Sequence, residues 1–159
     1  MNIETSPETC VPRQWIGSLV LLTLWSVWWG GLTFYALVVV PIGTEAIGSV
    51  EQGFITQRVT HWHNALTVLV SIVLFIQGYR TRSRTLWIIA ASLSIIAIAL
   101  VLWHARLTGM MDFKQQTVPG GFYGEHAVYL WITASEWALG MLIPIWLFPS
   151  STRVNAQSV

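Results

Sequence analysis

Glu136 is the residue whose setting says most about chemistry. It falls near the middle of an apolar run, where an ionisable group is costly and is kept for a function or held by a partner. At about 100° per residue, His126, Tyr129, Thr133, Glu136 and Gly140 project within about 80° of one another on a helix. That polar stripe should face other helices rather than lipid. The histidines are His61, His63, His104 and His126. His61 and His63 point about 200° apart on a helix and cannot share a face, so a metal or haem must be held between helices. His63, His104 and His126 are the candidate ligands for haem b, since histidine pairs from facing helices hold haem inside bundles. A metal site would draw on His61, His63 and His126. Met110 and Met111 add thioethers suited to a soft ion such as Cu(I).

Depth arithmetic brings two of these groups together. At about 1.5 Å per residue, Glu136 lies about 20 Å from Pro149 and His63 about 25 Å from Arg80. The two should sit at similar depth, with His104 and His126 nearer the outer surface. A carboxylate meeting an imidazole there fits a structural pair, support for a metal, or a short proton relay. A protonated Glu136 bonded to Ser, Thr or Trp of a neighbouring helix is the plainer alternative. No G-x-x-x-x-G-K-[ST], H-E-x-x-H, C-x-x-C or G-x-S-x-G occurs, which removes the usual grounds for proposing an enzyme.

The elements that must position these residues follow from composition. Hydrophobic residues make up 54% of the 159-residue chain and charged residues 9%. A soluble domain carries roughly a quarter charged residues, so lipid is the better solvent for this chain. The net charge of +1 and the lack of a long basic run give no basis for a nucleic-acid partner. Cys10 has no second cysteine to pair with. The N-terminal residues lack the basic start of a secretory signal, and the apolar run after them reads as a retained helix.

A spanning helix needs roughly 20 mostly apolar residues, and four segments qualify, at about 15–40, 55–79, 86–106 and 126–148. Pro41 should stop the first. Ser49 and Gln52 read as a capping box, which would start the second near Val50. These spans make one domain, an all-α, up-down-up-down four-helix membrane bundle. Arg80, Arg82 and Arg84 join the second and third spans, and Arg13 and Arg153 would lie on their side, against Arg58, Arg106 and Lys114 opposite. Cytoplasmic loops collect positive charge, so both termini should be cytoplasmic, in a cell inner membrane. Trp15, Trp62, Trp87, Trp103 and Trp146 suit interfacial anchoring, whereas Trp25, Trp28 and Trp29 lie deeper and should pack the bundle. Gly17, Ser26, Gly30 and Gly31 give the first helix a small-residue surface.

Trp28-Trp-Gly-Gly31, Phe34 and Val39-Val-Pro41 resemble the first-helix signature of uncharacterised small bacterial four-helix transmembrane proteins. Phe122-Tyr123, His126 and Tyr129-Leu-Trp131 are similar to the start of their last helix. The first motif is also similar to that of copper-resistance membrane domains. Those domains often carry a histidine ahead of it, where this chain has Leu22 to Val27, a departure that weakens any transfer of copper handling. The resemblance implies a four-helix bundle in a bacterial membrane. The functional expectation is a non-enzymatic accessory or structural subunit, bound by other membrane subunits or by copies of itself. The alternatives are a haem b or metal electron-transfer protein, and proton-coupled transport through Glu136.

Overall fold

The structure is a computed structural model that describes residues 13–147, with side chains over 16–146. Its elements are α1 (Arg13–Phe34), a π-helical stretch (Tyr35–Val39), α2 (Val40–Ile47), α3 (Ser49–Thr81), α4 (Arg84–Met110) and α5 (Phe122–Leu147). α1, the π stretch and α2 form one helical run, so the described residues hold four long helices, each apolar and long enough to cross a membrane. Among them only an isolated bridge, Asp112 with Thr117, has β character.

Pro41 does not end the first helix as its ring chemistry suggests. Proline lacks an N–H and its ring clashes with the carbonyl four residues back. The π stretch just before it adds a residue to the turn, and the Val40 N–H reaches back five residues to the Tyr35 carbonyl. The helix therefore runs through Pro41 to Ile47. Gly48 then takes φ 95°, a conformation that favours glycine, and the chain reverses into α3. The Ser49–Gln52 capping box is not formed. Gly48 occupies the cap position with no side-chain bond, and Gln52 is buried with its Nε2 donating to the Thr56 hydroxyl. Gly43 packs against the Gln52 amide, which would have to move to admit a side chain between α2 and α3.

At the opposite end, Arg82 adopts a left-handed conformation and Ser83 caps α4 by accepting from the Leu86 N–H. α5 begins at Phe122, one turn before the sequence-based boundary. The loop before it is tied by Asp112, whose side chain accepts from the Lys114 and Gln115 N–H groups.

Burial leaves many large apolar side chains on the outside while polar ones lie within. Leu21, Trp28, Val70, Leu74, Leu93 and Ile143 form the centre of an apolar core, and Gln52, Asn64, Thr67, Ser71, Gln77 and Glu136 are buried with it or beside it. Meanwhile Leu37, Ile95 and Trp131 are 71%, 69% and 76% exposed. Trp62, Trp87 and Trp146 also face outward. Trp15's side chain lies outside the described ones. Trp103 departs from simple anchoring: it donates to the Glu125 carbonyl and lies under the Arg106 guanidinium, itself paired with the Glu125 carboxylate.

The deep tryptophans do pack the bundle, by hydrogen bonds as well as contact. Trp25 Nε1 donates to the Gly140 carbonyl at 2.8 Å and Trp29 Nε1 to the Trp137 carbonyl at 2.9 Å. Trp137 Nε1 returns a bond to the Thr33 hydroxyl at 2.9 Å. The ring of Trp29 stacks on both Trp25 and Trp137. Gly140 makes this α1–α5 approach possible, because a Cβ there would overlap the Trp29 ring and come 3.1 Å from Trp28. Gly140→Ala is therefore expected to destabilise by about 1–3 kcal/mol, the usual cost of overpacking. A thermal unfolding midpoint in mild detergent equal to wild type would contradict that packing.

Candidate functional site

α3 presents a polar face by helical spacing: Thr60, His63 and Asn64, Thr67, then Ser71. Residues three and four apart share a face, so this stripe meets the one on α5. At the meeting point Glu136 is 0% exposed. Its Oε1 accepts from the Thr67 hydroxyl at 2.6 Å and from Trp28 Nε1 at 3.3 Å, and His63 Nε2 stands 3.5 Å away. The Trp28 N–H is shared, because Thr67 Oγ1 also accepts from it at 2.8 Å. Trp28 lies parallel to the His63 imidazole, at 7° and 6.3 Å between centroids. Two helices, α1 and α3, thus supply the buried carboxylate of α5 with a hydroxyl, an indole N–H and an imidazole.

The centre is not saturated. Glu136 Oε2 and His63 Nε2 are buried without a hydrogen-bond partner, as is Asn64 Oδ1. Buried polar atoms in folded proteins are nearly always paired, so each orphan asks for an explanation. Tyr129 lies within electrostatic range of Glu136 and neighbours Thr60, Asn64 and Thr133.

Tyr129 also lines a cavity of about 260 Å³ at the end of the bundle that carries the 111–121 loop. Its wall includes His104, His126, Thr108 and Met111. His104 tilts against the Tyr129 ring, and His126 stacks on Phe122.

The sequence-derived candidates thus divide into two groups. Glu136 and His63 meet, and the α5 stripe contributes Tyr129, Thr133 and Gly140 around them. His104, His126 and Met111 belong to the cavity, which His63 does not line. His61 is exposed, its ring edge-on to Trp62. Met110 closes α4, half-buried, and does not line the cavity. Among the described residues no group of three or more His, Cys, Asp or Glu side chains has the arrangement to hold a metal ion. His63 lies beside Trp28 and Glu136 and does not line the cavity that holds His104 and His126, as a haem pair with either would require. Thr67 and Asn64 are not among the sequence candidates, although their spacing with Thr60 and Ser71 carries the signal. Trp28 had no such signal, since tryptophans crowd α1.

The elements define an all-α protein of four long apolar helices around a buried polar centre. No family model matches the chain, no curated protein matches its sequence, and no solved structure matches it.

Proposed function

We propose that this chain is a multi-pass integral membrane protein of a cell inner membrane, non-enzymatic, whose working centre is a proton-binding site shared by Glu136 and His63. The observation that carries the reading is the 0% exposed carboxylate with one oxygen unpartnered beside an unpartnered imidazole nitrogen. A group placed only to knit helices would have both oxygens satisfied. Membrane insertion is supported by the burial pattern, with large apolar side chains outside and amides, hydroxyls and a carboxylate inside. Water would penalise that surface and lipid does not. The arginines at 80, 82 and 84 in one short turn support an up-down-up-down path with both termini cytoplasmic.

Orientation is tested with the lone cysteine. In intact cells a membrane-impermeant maleimide should spare Cys10, and should label Lys114→Cys in a Cys10→Ser background. Labelling of Cys10 before lysis would reverse the assignment.

Function is tested with the purified protein in liposomes carrying an internal pH dye. An imposed proton gradient should decay faster with wild type than with empty vesicles, and Glu136→Gln should abolish the difference. Flux that survives Glu136→Gln would remove the carboxylate from the path. A protein that conducts nothing alone would instead favour the accessory-subunit reading. That reading draws on Gly30 and Gly31, where an added Cβ would meet nothing within 4 Å, an open face on which a second helix could pack closely.

A further inference from the structure

We infer that the cavity between α2, α3, α4 and α5 binds a neutral single-ring amphiphile carrying carbonyl or hydroxyl groups, the chemistry of a lipid quinone head. This goes beyond the proton centre and does not depend on it.

Size sets the first limit. About 260 Å³ lies just under the roughly 300–1,000 Å³ typical of ligand pockets, which suits one substituted ring. Charge sets the second. Among the described residues no Asp, Glu, Lys or Arg lines the cavity, although Arg106 and Glu125 lie close by along α4 and α5. A phosphate, carboxylate or ammonium head would lose its hydration there without a permanent counter-charge.

Polarity sets the third. Thr56, Thr60, Gln57 and Thr108 face the space. Thr108 Oγ1 is buried with no hydrogen-bond partner. A purely aliphatic occupant would leave the Thr108 hydroxyl unpaired, a costly outcome. A ring carbonyl or hydroxyl would satisfy the Thr108 hydroxyl. Flat surfaces complete the fit: Phe122 and His126 stack at 14° and 5.8 Å between centroids, and Tyr129 and His104 add two more rings to the wall. Exposed Thr44 and Ser49 give the cavity a polar side, and Leu130 and Tyr123, 53% and 59% exposed, give it an apolar side at the exterior of the bundle. A solute dissolved among lipid tails would enter by that side.

The test is calorimetric titration of the purified protein in mild detergent with decylubiquinone, after subtracting partition into empty micelles. Wild type should show saturable, one-to-one binding. Gly53 lines the cavity, and a Cβ there would meet nothing within 4 Å, so Gly53→Leu fills the space without backbone strain. It should weaken binding about tenfold or more, the scale of altering a ring-sized contact. Thr108→Val keeps the volume, removes the hydroxyl, and should weaken binding several-fold, with neither apo variant unfolding below the wild-type midpoint. Heat that never saturates, or an affinity untouched by Gly53→Leu, would overturn the site. Equal displacement by phosphatidylglycerol, whose head is charged, would overturn the neutral-ligand assignment.

Discussion

Trp28→Ala is expected to cost about 3–5 kcal/mol of stability, the range for truncating a fully buried aromatic. Trp28 is 0% exposed and stands among the largest fully buried side chains. Three separate losses add up at this position. The indole volume disappears from the contact with Gly140, which has no side chain of its own to fill it. The N–H that serves both Thr67 and Glu136 goes with it, leaving the carboxylate one donor poorer in a site where unpaired charge is expensive. The plate against which His63 lies is also removed. Trp28→Phe narrows these terms, because it keeps one aromatic ring at the position while deleting the five-membered ring and its N–H. It should fall between wild type and alanine. Denaturant titration in mild detergent reads both, and an alanine variant within about 0.5 kcal/mol of wild type would match a surface position instead.

What the sequence makes legible here is periodic, and what it hides is rotational. Four long apolar runs could be read from length and hydropathy, since a bilayer-sized stretch leaves few alternatives. The meeting of Glu136 with His63 was accessible because depth along a helix is nearly a linear function of residue number. Which face each helix presents is harder. The α5 stripe could be read because it contains a carboxylate, an imidazole and a phenol at one helical spacing. α1 offered Trp25, Trp28 and Trp29 with nothing to distinguish them, and only packing against Gly140 and Thr67 picks Trp28 as the centre's partner. Local rules failed at one place, the α1–α3 reversal. Pro41 and Ser49 carry strong stop and start signals, yet a π turn absorbs the proline and Gly48 takes the cap. Both substitutes are backbone devices, which residue chemistry alone does not announce.

Substitutions at Glu136 should separate holding the fold from handling a proton. Glu136→Ala leaves the Thr67 hydroxyl, the Trp28 N–H and His63 facing an empty space. Removing one partner of a buried polar pair typically costs about 3–5 kcal/mol. Glu136→Gln is different in kind. Its amide oxygen can still accept from Thr67 and Trp28, and its volume is nearly unchanged, so the fold should lose only about 1–3 kcal/mol, the cost of imperfect pairing. The glutamine cannot ionise, so a well-folded variant without proton flux is the signature of a working carboxylate. A double-mutant cycle with His63→Gln then measures whether the 3.5 Å approach of Nε2 to Oε1 is an interaction or only proximity. Coupled neighbours show interaction energies of about 0.5–3 kcal/mol. A value in that range would make His63 and Glu136 one unit, with the orphaned Oε2 and Nε2 as its exchange points. Strict additivity would mean that Thr67 and Trp28 alone hold the carboxylate, and that His63 is positioned by its stacking on Trp28.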